Sequence, residues 1–216
     1  MTTARIPAPA RARPAGLRER KKTKTRLAIR RAAHTLIAEQ GYAATTVEQI
    51  AERAEVSPST VLRYFPGKED IVGTVEAGPA LVAALRERPA GEPWTDSLRH
   101  VLRHAAVAAL TEDAEAVRLR ARLSVREPAV RSRLLESVRA TARMLAEAVT
   151  ERPGPRPDAL TARVYATSLA AGLTETCLYW AEHGCRDDLP ALLDRAPDVA
   201  GHGVPAGNPR VARPLP

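Results

Sequence analysis

The 216-residue sequence predicts an all-α fold, in which an N-terminal three-helix head precedes a larger helical bundle. Three observations lead there. Aromatic residues make up only 3% of the chain, so the core must be built mainly from Ala, Leu and Val, a composition that suits helices better than sheets. Apolar residues recur at three- and four-residue spacing, the period of one helical face. Proline and glycine fall between these periodic stretches, and no alternating strand pattern competes with them.

Residues 1–16 are rich in proline and arginine and have no apolar period, so a disordered basic tail is expected there. From Leu17 to Gln40 there is neither proline nor glycine, and Ile29, Ala33, Leu36 and Ile37 share one face; Gly41 then stops the helix. Thr45 followed by Glu48 reads as a capping box opening a short helix, with Val47, Ile50, Ala51 and Ala54 on its inner side. Ser57-Pro58 is a cap with proline at the first helical position, and a second short helix runs on through Tyr64. Two short helices across a tight turn make a helix-turn-helix, expected to end a head domain of residues 17–67. Phe65-Pro66-Gly67 breaks the chain, and helices are expected at about 68–88, 95–110, 113–124, 127–151, 158–183 and 188–196. Residues 68–196 would form the second domain, and 197–216, again rich in Pro and Gly, a second disordered tail.

Charge is distributed unevenly. Residues 1–68 hold 14 Lys/Arg against 5 Asp/Glu, whereas 69–216 hold 19 against 20, so the net charge of +8 comes from the first third. A basic head selects polyanions as partners. Two cysteines, Cys177 and Cys185, do not make a disulfide framework, and a reduced cytoplasmic setting is expected, nucleoid-associated when DNA is bound. No apolar run approaches a membrane span, so no membrane partner is expected.

In a helix-turn-helix the second helix enters the major groove, where each base pair presents its own donor and acceptor pattern. Here that helix would present Pro58, Ser59, Thr60 and Arg63. Arg63 is the candidate for reading guanine, because its planar fork can donate to O6 and N7 together. Thr45, Thr46 and Tyr64 are candidates for phosphate contacts, as is Lys68 at the start of the next helix. Lys21, Lys22 and Lys24 are expected to reach the backbone or the adjacent minor groove.

These residues carry a resemblance. The stretch from Thr25 to Val72, TRLAIRRAAHTLIAEQGYAATTVEQIAERAEVSPSTVLRYFPGKEDIV, resembles the DNA-binding domain of TetR-family transcriptional regulators in Gly41-Tyr42, Thr45-Thr46-Val47, Ile50-Ala51, Ser57 with Thr60, and Phe65-Pro66 followed by Lys68-Glu69. The resemblance implies DNA contacts from Thr46, Ser57, Ser59, Thr60, Tyr64 and Lys68. The chain departs from it at Leu62, where tyrosine is common, and at Glu55, where glycine is common; a left-handed backbone at Glu55 would cost about 1 kcal/mol.

Selective binding by so short a reader calls for a homodimer spanning two half-sites of a double-stranded operator. The 158–183 stretch is apolar over a wide arc, with Tyr165, Leu169, Gly172, Thr176 and Trp180 on one stripe and Ala166, Ala170, Leu173, Cys177 and Ala181 on the next. Such a helix packs on two sides, and it is expected to meet a second copy together with Leu189, Leu192 and Leu193. Residues Arg118 to Ala200, with RLRARLSVREPAVRSRLL, ALTARVYATSLAAGL and LYWAEHG…DLPALLDRA, are similar to the TetR subgroup with an acyl-CoA-like ligand-binding domain. That similarity implies an apolar small-molecule cavity. Its candidate lining is His100, His104, Arg118, Arg122, Tyr165, Leu169, Thr176 and Trp180.

His100 and His104 share a face but have no third ligand in sequence, so no metal is expected, and no cofactor either. No phosphate loop, nucleophile elbow or zinc cluster points to an enzyme. The expectation is a homodimeric repressor released from a palindromic operator by a small-molecule effector of unknown identity. The alternatives are a ligand-insensitive regulator or activator, and a small-molecule-binding or catalytic helical domain whose basic head neutralises anions nonspecifically.

Overall fold

The computed structural model describes residues 17–154 and 156–202, and every regular element among them is helical. The expected tail at 1–16 lies outside the described residues, as do 203–216. The chain divides into two compact units, Met1–Pro66 and Gly67–Pro216. No helix of the described residues is long and apolar enough to cross a membrane.

The first unit holds α1 (Leu17–Gln40), α2 (Val47–Arg53) and α3 (Pro58–Tyr64). The periodic residues Ile29, Ala33, Leu36 and Ile37 bury one face of α1, joined in the core by Ile50, Ala51, Val61 and Phe65. Gly41 takes a φ of +88°, the left-handed conformation that lets the chain leave α1 abruptly.

The capping box sits one residue later than expected. Thr46, not Thr45, caps α2: its hydroxyl accepts from the Gln49 N–H at 3.3 Å, and the Gln49 side chain accepts from the Thr46 N–H at 3.0 Å. Thr45 instead turns inward, 1% exposed, and donates its hydroxyl to the Gly41 carbonyl at 2.8 Å.

The turn between α2 and α3 is a Schellman motif. The Val56 N–H reaches back to the Ala51 carbonyl and the Glu55 N–H to that of Glu52, which places Glu55 at the left-handed position with φ +54°. A side chain held there costs about 1–2 kcal/mol, against about 0.5–1 kcal/mol for the extra freedom glycine has in the unfolded chain. Glu55→Gly is therefore expected to stabilise the head by roughly 1 kcal/mol. A thermal melt checks it, and a lowered midpoint would count against strain at this turn.

The second unit comprises α4 (Lys68–Gly73), α5 (Gly78–Arg86), α6 (Trp94–Glu112), α7 (Ala114–Arg126), α8 (Pro128–Thr150), α9 (Ala159–Glu182) and α10 (Leu189–His202). The single helix expected over 68–88 is two, because Gly78-Pro79 opens a new helix with proline in its first turn. At the far end α10 continues through Pro197 to His202, past its expected stop at 196, so 197–202 belong to a helix and not to a tail. A proline removes one backbone hydrogen bond and marks a boundary only when the chain turns there.

Two apolar clusters build the bundle. One gathers Leu81, Leu85, Leu98, Val101, Leu145 and Val149 with Ala162, Ala166 and Leu169 of α9. The other gathers Ala121, Leu173, Trp180, Ala181, Leu189 and Leu193. Leu189 and Leu193 thus close the subunit's own core, where the sequence had them meeting a second copy.

The short α4 is tied closely to its neighbours. Asp70 pairs with the Arg133 Nε of α8 at 2.9 Å, and the Arg120 Nε of α7 donates to the Val72 carbonyl at 3.2 Å. At Gly73 a Cβ would lie 2.8 Å from the Val130 carbonyl oxygen and 2.9 Å from the Arg133 Cβ, so only glycine lets α4 approach α8 this closely.

Before α6, Glu92 accepts from Arg88 and, at 2.6 Å, from the buried Ser97 hydroxyl. The Arg88 bonds first and the Ser97 bond second push its carboxyl down to about 2. A carboxylate depressed on folding stabilises the protein above its unfolded pKa and loses that contribution as pH falls toward the folded value. Glu92→Gln is therefore expected to flatten the fall of the melting temperature between about pH 4.5 and 2; an unchanged acid limb would rule the contribution out.

Candidate nucleic-acid interface and effector cavity

In the first unit, α3 is pinned by Val61 and Phe65 on its inner side. Ser59, Leu62 and Arg63 follow at i, i+3 and i+4, so they share the outer face, and all three are exposed. Ser57 caps the helix by accepting from the Thr60 N–H at 3.2 Å, and its hydroxyl lies 2.9 Å from both the Ser59 and the Thr60 hydroxyl. The helix thus begins with clustered hydroxyls beside exposed Pro58. Arg63 is further along, its guanidinium 5.4 Å from the Tyr64 ring centroid.

Behind this face two arginines of α1 stack on Phe65, Arg26 at 4.5 Å and Arg30 at 5.5 Å. Arg26 also donates to the Tyr64 carbonyl at 3.4 Å, and burial lowers its pKa. These contacts fix the end of α3 against α1. Lys21, Lys22 and Lys24 are exposed on the first turns of α1, and Thr46 is exposed at the start of α2.

The expected phosphate contacts therefore divide. Thr46, Ser57, Ser59, Thr60, Arg63 and Tyr64 retain accessible surface in the first unit. Thr45 does not, because its hydroxyl is consumed in holding the α1–α2 turn. Lys68 belongs to the second unit, at the first position of α4. Leu62, 48% exposed in the middle of the outer face, offers an apolar group suited to a thymine methyl.

The second unit contains a cavity of about 220 Å³. Leu81 of α5, Leu102, Ala105, Ala106 and Ala109 of α6, and Val117, Arg120 and Ala121 of α7 form part of its wall. The remainder comes chiefly from Leu134, Val138 and Thr141 of α8, Ala170, Leu173, Thr174 and Cys177 of α9, and Leu189 and Leu193 of α10.

None of the eight residues expected to line a pocket lies on this wall. His100 and His104 are exposed on the outer side of α6, their rings stacked 5.9 Å apart, and line a second depression with Glu87 and Arg88 that shares Ala77, Leu81 and Ala105 with the cavity. Arg118 pairs with Glu115 at 2.7 Å, and Arg122 is exposed. Tyr165 stands edge-on to Trp94 at 5.0 Å, and Leu169 is in the first apolar cluster. Thr176 donates to the Gly172 carbonyl at 2.8 Å, and the Trp180 indole N–H to that of Asp187 at 2.8 Å. Among the described residues no group of three or more His, Cys, Asp or Glu is placed to hold a metal ion.

Arg120 is the residue that sequence reasoning missed. Among the described residues it is the one charged side chain on the cavity wall. Desolvation lowers its pKa, with Cys177 and then Asp113 acting in the opposite direction. The Cys177 thiol is pushed up to about 11 by burial, so it faces the cavity neutral.

Comparison with known proteins accords with both halves. Residues 29–75 match the family described as bacterial regulatory proteins, tetR family, and residues 92–205 match the MftR C-terminal domain. The HTH-type transcriptional regulator TcmR of Streptomyces glaucescens is 49% identical over 79 residues, which are 36% of this chain and 35% of TcmR. The match thus spans about a third of that relative's length. Among solved structures, FadR of Thermus thermophilus, a TetR-family transcriptional repressor in complex with lauroyl-CoA, is 25% identical with a TM-score of 0.53, covering 88% of this chain and 97% of that one. The fatty acid degradation regulator FadR of Bacillus halodurans is similar in fold, 24% identical with a TM-score of 0.55 over 84% of this chain and 96% of its own.

Proposed function

Because the chain belongs to the TetR family of DNA-binding transcriptional regulators, and not to a family of enzymes, we propose that it is a homodimeric repressor that a small molecule releases from a palindromic operator. The observation that carries the DNA-binding part is the outer face of α3. Ser59, Leu62 and Arg63 stand exposed on a helix whose opposite side is locked by Val61 and Phe65. The head is basic, with Lys21, Lys22 and Lys24 exposed on α1. On this reading Arg63 reads guanine, Leu62 meets a thymine methyl, and Thr46, Ser57, Ser59, Thr60, Tyr64 and the α1 lysines hold phosphates.

Fluorescence anisotropy of the purified protein on genomic fragments and scrambled duplexes, across a salt series, tests it. Sequence-independent binding decays steeply with salt, so selective complexes must outlast it. Indistinguishable salt curves for both kinds of duplex would leave only a nonspecific basic head.

The dimer rests on α9. Its outer side carries Leu160, 71% exposed, Val164, 57% exposed, and Tyr179, with Leu135 and Met144 exposed on neighbouring α8. An apolar stripe of this kind on two adjacent long helices suits a four-helix interface with a second copy. Val164→Glu, placing a charge at the centre of a dry interface, is expected to convert the dimer to monomer and to reduce operator affinity at least tenfold. Sedimentation velocity reads the first effect; an unaltered dimer would move the interface elsewhere.

Release is assigned to the cavity. Arg120 on its wall bonds the Val72 carbonyl of α4, so a ligand that changes the wall acts on α4 directly. Differential affinity of the ligand for two positions of α4 is what shifts the population away from DNA.

A further inference from the structure

We propose that the cavity takes a compact apolar acid, and that its free carboxylate is held inside the protein by the Arg120 guanidinium. This inference rests on the effector reading above and adds the chemical class of the ligand. The wall offers little else that is polar. Thr174 spends its hydroxyl on the Ala170 carbonyl at 2.8 Å, and the Cys177 thiol is neutral. What remains is a wall of Leu, Val and Ala with the Thr141 hydroxyl and, among the described residues, one cation on it.

Arg120 uses one of the five guanidinium donors on the Val72 carbonyl, and no other protein partner engages it among the described residues. It has no carboxylate within ion-pairing distance there. A half-buried charge beside apolar side chains, with only the longer-range field of Asp113 to offset it, is costly unless something neutralises it. A carboxylate matches the planar fork and takes two parallel bonds, which a neutral ester or thioester carbonyl does not. The depressed pKa of Arg120 reflects the same desolvation.

Size narrows the class further. A space of about 220 Å³ lies below the roughly 300–1,000 Å³ of pockets for drug-sized ligands, which favours a compact body such as a medium-length chain or a single substituted ring. The apolar body fills the Leu and Ala wall while the acid group meets Arg120.

The test is calorimetric titration of the full-length protein with octanoate, methyl octanoate, octylamine and octanoyl-CoA. Octanoate is expected to bind about ten- to a hundredfold more tightly than the methyl ester, the worth of a charge-assisted hydrogen-bond pair. Octylamine should bind more weakly than either. Arg120→Met should erase the preference for acid over ester, and Arg120→Lys should retain part of it.

Equal affinity for acid and ester on the unaltered protein overturns the assignment, even if the Arg120 variants do not fold. So does a preference that survives Arg120→Met, or no binding of any carboxylate from hexanoate to decanoate, or of benzoate. Operator anisotropy is read in parallel to separate the two proposals. If a neutral compound or the thioester releases DNA and carboxylates do not bind, effector control stands and the Arg120 assignment falls. If octanoate binds with the expected Arg120 dependence and the DNA complex is unmoved, the ligand class stands and effector control falls.

Discussion

On the proposed homodimer, replacing Arg63 with alanine is expected to cost the specific operator complex about 2–6 kcal/mol, the sum of two proposed bidentate guanine contacts at roughly 1–3 kcal/mol each. In affinity that is about thirtyfold to more than ten-thousandfold. The side chain is exposed on the outer face of α3 and lies along the Tyr64 ring, so truncation leaves the fold of the head intact. Scrambled DNA should lose much less, since there Arg63 supplies only charge. Anisotropy on both duplexes at one salt concentration gives the ratio. A uniform loss across sequences would reassign Arg63 to the phosphate backbone.

The second large effect is at Phe65. Its ring is 2% exposed and carries Arg26 and Arg30 over its surface. Phe65→Ala removes the ring from a small core at about 3–5 kcal/mol and forfeits two cation–ring contacts worth about 0.5–1 kcal/mol each. A domain typically has about 5–15 kcal/mol in total, so the head of this variant should be largely or partly unfolded. Hydrogen exchange over α2 and α3 should approach that of unfolded chain, and urea denaturation gives the magnitude. Protection within about 1 kcal/mol of the parent would mean that Phe65 is not the keystone of the head.

The head was readable because its signals are local. Gly41, Thr46, Ser57-Pro58 and Phe65-Pro66 punctuate the chain within a few residues of the bonds they make, and the departure at Glu55 coincides with the φ of +54° found there. The one-residue slip of the first cap has a local cause too. Two adjacent threonines can both cap, each with a third successor able to reciprocate, Glu48 or Gln49; Thr45 is turned inward onto the Gly41 carbonyl, which leaves the cap to Thr46 and Gln49.

The cavity was not readable in this way. Arg118, Arg120 and Arg122 occupy alternate positions on α7, so Arg120 points about 200° away from the other two. Sequence spacing pairs Arg118 with Arg122 and cannot say which side of α7 faces α8 and α9. The same rotation places His100 and His104 outside while Leu98, Val101 and Leu102 of α6 face in. Which arc of a helix is inside depends on its neighbours, and that information is spread over the whole bundle.

Gly73 has a consequence for how this molecule can change over time. Its missing side chain locks the end of α4 to the α8 backbone, and it lies outside the cavity wall. Recognition and transmission are therefore mutationally separable. If the cavity holds the proposed effector, Leu and Ala positions of its wall can change one methyl group at a time while the α4–α8 joint stays as it is. A side chain at Gly73 would do the reverse, pushing α4 off α8 while leaving the cavity wall as it is.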